Sequence, residues 1–214
     1  MKNIAICVAH IDDELLSCSS IIAKTNPSNL FILYTSTSDY VDLDGTVHRT
    51  IEQAKEERFN SLTYLSPVRF PTIIELNYLT KNVPYNSEII EKIDKVFRDY
   101  NIDAVFTHSP NDTHSDHNNT ARAVFTASRR IPNLFTFEPI FPAQIISLFQ
   151  PNTYIDMSDI YERKINSLKA QVSQYKKYGD RWLDSVDALS RLRGIECGVE
   201  RAECFSTIKH KVEL

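Results

Sequence analysis

Apolar and polar positions divide the chain into short hydrophobic runs separated by amphipathic stretches. Ile4-Ala5-Ile6-Cys7-Val8-Ala9 makes residues 3–9 read as a strand buried on both faces, and Leu30-Phe31-Ile32-Leu33-Tyr34 repeats the pattern. Shorter runs at 73–76, 103–107, 134–137 and 153–156 predict further strands, and 203–208 a final edge strand. Between these runs the apolar spacing turns helical. One helix is expected from Asp12-Asp13-Glu14 to about Lys24, because acidic residues suit the positive end of the helix dipole. Others are expected over about 47–65, 87–100, 116–129, 159–178 and 186–193. In 87–100, Ile89, Ile90, Ile93, Val96 and Phe97 fall on one face. Polar segments at 36–46, 77–86 and 108–117 read as loops.

Strands alternating with helices predict an α/β fold, a doubly wound, mainly parallel, Rossmann-like sheet with helices on both faces. The 214 residues suffice for one sizeable core, so residues 1–214 are expected to form a single domain. A net charge of −4 with scattered basic residues argues against nucleic acid or an anionic membrane as partner. No run approaches membrane-spanning length, and His10, Asp12, Asp13 and Glu14 end the first apolar run too soon for a signal sequence. The expected location is therefore cytoplasmic. Cys7, Cys18, Cys197 and Cys204 lack C-x-x-C spacing and are too few for a disulfide framework; Cys7 reads as a small buried residue.

The candidate chemistry concentrates after two of the strands. In the common 3-2-1-4 order the first and fourth strands flank the switch point, and ligands bind beyond their carboxyl ends. Ala9-His10-Ile11-Asp12-Asp13-Glu14 follows the first strand. The segment from His108 to His117, which includes Asp112, His114 and Asp116, follows the fourth. Two His/Asp clusters about a hundred residues apart are thus expected to meet in one crevice. Positions 10–15 hold no glycine, which disfavours a dinucleotide or P-loop site. Imidazoles and carboxylates in a crevice point instead to a metal ion, and two His with one carboxylate leave coordination positions open for catalysis. Taken separately, Asp12-Asp13-Glu14 reads equally as a helix cap and His114-Ser115-Asp116-His117 as an exposed turn. Their expected meeting favours the metal, although the residues alone do not say which of Asp12 and Asp13 binds it.

These motifs resemble those of the PIG-L/LmbE-like deacetylases. The hallmark Ala-His-Pro-Asp-Asp-Glu reads Ala9-His10-Ile11-Asp12-Asp13-Glu14 here, and Pro-x-Asp-x-His-x-Asp-His reads Pro110 to His117. Arg49 and Glu52 match an Arg-x-x-Glu in the second helix; Lys164, Leu168, Ser173 and Gln174 resemble a late helix, and Arg193-Gly194 with Ala202-Glu203-Cys204-Phe205 the C-terminal end. The resemblance implies Zn2+, or another divalent ion such as Fe2+, on His10, Asp13 and His117. It implies Asp12 as general base, His114 as oxyanion stabiliser or proton donor, Asp116 as the group that orients or charge-stabilises His114, and Arg49 as a contact to substrate hydroxyls. The implied reaction removes an N-acetyl group from an N-acetylglucosamine-type sugar or glycoconjugate. A homo-oligomer is compatible with the resemblance.

Ile11 replaces the usual proline, Cys18-Ser19-Ser20 and Ser36 to Asp39 lack the usual glycines, and Gln171 stands near a frequent His. These departures bear on substrate, through a narrowed pocket or altered packing, more than on reaction type. Asp39 and Tyr40, on the loop after the second strand, are candidate substrate contacts. Asp112 is expected to brace its loop. His108 reads either as a support to the site or as a plain strand-end residue, and Trp182 and Tyr178 read as core aromatics ahead of a sugar-stacking wall. Rival readings keep the same site for another amide, such as a thiol conjugate or antibiotic sugar, or assign a phosphoesterase or a carbohydrate binder without catalysis.

Overall fold

The computed structural model describes residues 1–68, 70–138 and 149–212. Its central sheet has seven strands. In chain order these are β1 (Ile4–Val8), β2 (Leu30–Ser36), β5 (Thr72–Tyr78), β6 (Ala104–Thr107), β7 (Asn133–Phe137), β8 (Thr153–Asp156) and β9 (Ala202–Lys209). Their spatial order is β5-β2-β1-β6-β7-β9-β8, and the first five run parallel. The expected 3-2-1-4 arrangement is therefore present, with Ile4 beside Ala104 and Cys7 beside Thr107. The final strand departs from expectation. β9 does not close an edge; it inserts antiparallel between β7 and β8. Residues 202–205 are correspondingly buried, which an edge position does not require.

Alternation along β1 divides the core into two layers. Ile4, Ile6 and Val8 join a cluster with Leu15 and Ile22 of α1 (Asp13–Lys24), Ala54 and Leu62 of α2 (Ile51–Leu65), Leu168 of α5 (Tyr161–Lys169) and Trp182 of α7 (Asp180–Cys197). Ala5 and Cys7 face Ile89, Ile93 and Phe97 of α3 (Ser87–Asp99) and Val124 of α4 (Ser115–Ala127). Cys7 is fully buried, as read from the sequence, and burial pushes its thiol far above the ordinary range, which leaves no thiolate for chemistry.

Two helix boundaries differ from the sequence reading for local reasons. The helix expected from 47 begins at Ile51, because Thr50 and Gln53 form a capping box. The preceding Val47–Arg49 forms β4, paired with β3 (Tyr40–Val41) in a small hairpin at the sheet's ligand edge. The long helix expected over 159–178 is broken into α5 and α6 (Val172–Tyr178), since Gln171 leaves helical geometry and turns its amide inward. Gly179, at φ 64°, separates α6 from α7, and α7 is longer than the expected 186–193. Gly194 lets α7 press on the chain that follows: a Cβ there would lie 2.6 Å from the carbonyl oxygen of Glu200.

Helix α1 is kinked at Cys18 (φ −132°). The amides of Ser19 and Ser20 donate to the two carboxylate oxygens of Glu203, at 3.0 and 2.9 Å, and Lys164 Nζ completes the buried cluster at 2.7 Å. Cys18, Ser19 and Ser20 thus pack on β9, outside the lining of the ligand cavity, so altered packing, not pocket narrowing, is what these residues bring.

Candidate active site

The loops after β1 and β6 meet at the carboxyl ends of those strands, beside a cavity of about 500 Å³. Three side chains converge at its floor. His10 Nδ1 lies 3.1 Å from His117 Nε2 and 3.4 Å from Asp13 Oδ2, and His117 Nε2 lies 3.4 Å from Asp13 Oδ1. Ligand atoms about 2.0–2.2 Å from a tetrahedral ion stand at about this mutual spacing.

Hydrogen bonds to the far sides of the rings fix what these atoms offer. His10 Nε2 faces Asp116 Oδ2 at 3.0 Å, and His117 Nδ1 faces Asp112 Oδ2 at 2.8 Å. With each carboxylate accepting a ring N–H there, His10 Nδ1 and His117 Nε2 are the nitrogens turned toward each other and toward the Asp13 carboxylate, the ones whose lone pairs an ion would take. Such a trio of acceptors calls for a cation. Burial alone depresses the His10 imidazole, yet its bonds to Asp116 and Asp13 outweigh this and lift it to about 10, so without a cation the ring holds a second proton on Nδ1, the proton that a bound ion would displace. Asp13 is pushed up by burial but held well below the usual carboxylate range by His117 and His108.

Two other groupings are close enough to consider, His10 with His114 and His117, and Asp13 with His108 and His117. Both lack a free lone pair on one ring. His114 Nδ1 caps α4 by accepting the Asp116 amide (3.2 Å), which puts its proton on Nε2. His108 Nε2 accepts the Ala9 amide (2.9 Å) while its ring stacks on His117 with centroids 4.1 Å apart. Burial and the neighbouring imidazoles lower both His108 and His114 to about 4, so both are neutral. Of the two readings of His108, support to the site is what the geometry favours.

Asp12 stands apart from this network. Its φ of 141° is a conformation that L residues rarely adopt, and among the described residues its carboxylate takes no hydrogen bond as it faces the cavity. Burial and the adjacent Asp13 charge push it up to about 7, against the pull of Arg49, His10 and His117.

Several expected roles are redistributed. Asp116 reaches the His114 ring through its backbone amide and not through its carboxylate, which holds His10 and the amides of Lys81 (2.6 Å) and Val83 (3.2 Å). Asp112 braces its loop by accepting the His114 amide at 2.8 Å, and its second oxygen orients His117. Arg49 lines the cavity, but its guanidinium is engaged by the Ile11 carbonyl (3.1 Å), Gln171 (2.7 Å) and Glu57 (2.9 Å). Asp39 is spent on Thr37 and Thr80 (2.5 and 2.9 Å), joining the loops after β2 and β5. Tyr40 stands at the mouth, stacked on His48. Ser38 holds φ 60°, where a glycine would meet no strain, and its hydroxyl accepts the Ile11 amide. Trp182 belongs to the core and also lines the cavity, as does Tyr178. Glu57 and Lys81 carried no signal in the sequence, since their partners lie on other elements.

A profile described as PIG-L: GlcNAc-PI de-N-acetylase matches residues 5–128. The fold is similar to that of N,N'-diacetylchitobiose deacetylase from Pyrococcus horikoshii, with TM-score 0.80 and 18% identity over 97% of this chain and 84% of that one. It is similar to 4-carboxy-2-hydroxymuconate hydratase from Pseudomonas putida (TM-score 0.75, 14% identity, 100% and 99% covered). It is also similar to a teicoplanin deacetylase in a zinc-inhibited form (TM-score 0.75, 12% identity, 99% and 100% covered).

Proposed function

Because the chain belongs to the PIG-L family, we propose that it is a metal-dependent hydrolase that removes the N-acetyl group of an N-acetylglucosamine-type sugar or glycoconjugate. The observation that carries this reading is the trio of facing groups, His10 Nδ1, Asp13 and His117 Nε2, beside the Asp12 carboxylate, which takes no hydrogen bond among the described residues. We assign the three as ligands of one divalent ion, Zn2+ or Fe2+, and residues 1–214 as a single cytoplasmic domain. No helix among the described residues is long and apolar enough to cross a membrane.

A bound ion in this place polarises an amide carbonyl and acidifies water. The remaining work belongs to the chain. Asp12 takes the proton of the attacking water, a task suited to a carboxylate that faces the cavity and takes no hydrogen bond among the described residues. His114, neutral with its proton on Nε2, donates a hydrogen bond to the oxygen that gains charge in the tetrahedral intermediate. The proton collected by Asp12 then passes to the departing nitrogen, and acetate and a free amine result. Arg49 acts through Ile11, whose carbonyl it holds, and so steadies the Asp12-Asp13 turn. Asp39 sets the loop that carries Tyr40, and Tyr40 offers its ring to the sugar's far side.

The test is acetate release from N-acetylated sugars by the metal-loaded protein. Hydrolysis of an N-acetylglucosaminide is expected. Release only from thiol conjugates or longer acyl amides would transfer the site to the rival amidase reading, and hydration of an unsaturated acid without acetate release would overturn it.

A further inference from the structure

No hydrogen bond among the described residues aims the Asp12 carboxylate, so its direction is set by the backbone that carries it. That backbone sits at φ 141° and ψ −27°, a conformation that an L residue keeps only where its surroundings impose it. Before it, the Ile11 amide donates to the Ser38 hydroxyl at 2.8 Å, and Arg49 holds the Ile11 carbonyl at 3.1 Å. After it, the Asp12 carbonyl accepts the amides of Leu15 and Leu16, both at 3.0 Å. The Asp12 amide itself donates to Oε2 of Glu14 at 3.0 Å. The angle φ is rotation about the bond from this nitrogen to Cα. Holding the N–H on one side and the carbonyl on the other therefore fixes it.

Glu14 is an unexpected group in that place. Acidic residues in a first helical turn ordinarily reach into solvent and favour the positive end of the dipole. Glu14 is fully buried instead, and it does not line the cavity. Its second oxygen, Oε1, completes no hydrogen bond among the described residues, nor does the Tyr34 hydroxyl beside it. Glu14 enters no ion pair among these residues; Arg58, which lies over the Tyr34 ring at 5.2 Å, pairs with Glu75. Burying a carboxyl group with part of its bonding capacity unmet costs stability, and an apolar side chain of similar volume would fill the space at less cost. What an apolar side chain lacks is an acceptor for the Asp12 amide.

We propose that Glu14 is a positioning residue for the base: its carboxyl oxygen holds the Asp12 amide and, through the φ of that residue, aims the Asp12 carboxylate at the water it activates. The inference rests on the deacetylase reading and adds to it a group that stands behind the reacting centre. Asp13 is secured by other contacts. Its Oδ2 accepts the His10 amide at 2.8 Å and stands 3.4 Å from His10 Nδ1 and 3.3 Å from His108 Nε2. Loss of the Glu14 acceptor therefore loosens the base, while the carboxylate assigned to the metal keeps its restraints.

The experiment compares Glu14→Leu and Glu14→Gln with the unaltered protein, all metal-loaded. The readouts are acetate release from the methyl glycoside of N-acetylglucosamine, metal content and thermal unfolding. Leu keeps an apolar volume and removes the acceptor. Gln keeps an oxygen for the Asp12 amide and offers its NH2 group to the Tyr34 hydroxyl. Glu14→Leu is expected to lower kcat by about 10–100-fold, with KM, metal content and cooperative unfolding retained, because a base displaced by a fraction of an ångström loses that much. Glu14→Gln is expected to rescue most of the lost kcat. An unimpaired Glu14→Leu overturns the assignment. So does a Glu14→Gln as slow as Glu14→Leu, since the acceptor would then not be what matters. A Glu14→Leu protein that fails to fold, or that folds without its metal, assigns Glu14 to the fold or to the ion and overturns it likewise. Each of these results leaves the deacetylase reading standing. An unaltered protein that releases no acetate defeats that reading and this inference with it.

Discussion

The carboxylate of Asp116 meets the imidazole of His10 at 3.0 Å across a separation of 106 residues. That contact ties the α4 end of the site to the turn after β1 and selects which nitrogen of His10 is free. If it sets the lone pair, Asp116→Asn should bind the divalent ion about 10–100-fold more weakly with the fold intact. Competition with a chromophoric chelator measures this, and unchanged affinity would remove Asp116 from the support of the site.

Asp12 has a different assignment and a different signature. Asp12→Asn should lower kcat by about 10²–10⁴-fold while the protein retains its metal, because the variant keeps the turn and loses the base. Metal content and turnover measured on the same sample decide the matter. Full activity with metal bound would refute the role.

The identity of the ion is open to direct measurement. Stripping with a chelator should abolish acetate release, and one equivalent of Zn2+ or Fe2+ should restore it. A stripped, metal-free protein that hydrolyses at the original rate would sink the metal assignment.

Behind the site, Lys164 and Glu203 form an ion pair whose side chains are 2% and 4% exposed. Lys164→Met leaves the Glu203 carboxylate buried without its cation and should destabilise by about 3–5 kcal/mol. Denaturant unfolding reads this, and a loss below about 1 kcal/mol would mean that the Ser19 and Ser20 amides alone suffice.

Gly194→Ala probes the seam between α7 and β9. The new Cβ would meet two backbone carbonyl oxygens, Glu200 at 2.6 Å and Val199 at 2.7 Å, and backbone cannot swing aside as a side chain does. A destabilisation of about 1–3 kcal/mol is expected in thermal or chemical melts, and a neutral substitution would show that the seam is loose.

Much of the arrangement was legible in the chain because two kinds of local signal agreed. Apolar runs located the parallel strands, and topology then required the segments after Ala9 and Thr107 to be neighbours. What escaped depends on partners distant in sequence. Asp112 and Asp116 look alike in a polar loop, and only the folded geometry gives one to His117 and the other to His10. The interior place of β9 was unreadable because an antiparallel strand at the end of the chain has the same alternation at an edge or within a sheet. The break at Gln171 follows from an amide drawn to Arg49 and Ser61, residues more than a hundred positions earlier.

The insertion of β9 has a consequence for how the protein comes into being. Every group assigned to the metal and to proton transfer has been synthesised by His117, yet Glu203, which grips the kinked helix behind Asp13, is made much later. A nascent chain still short of β9 thus carries all the chemistry with no rear support, and β8 waits without a neighbour to pair with. The rear support of the turn that carries Asp13 is thereby made only once β9 has been synthesised.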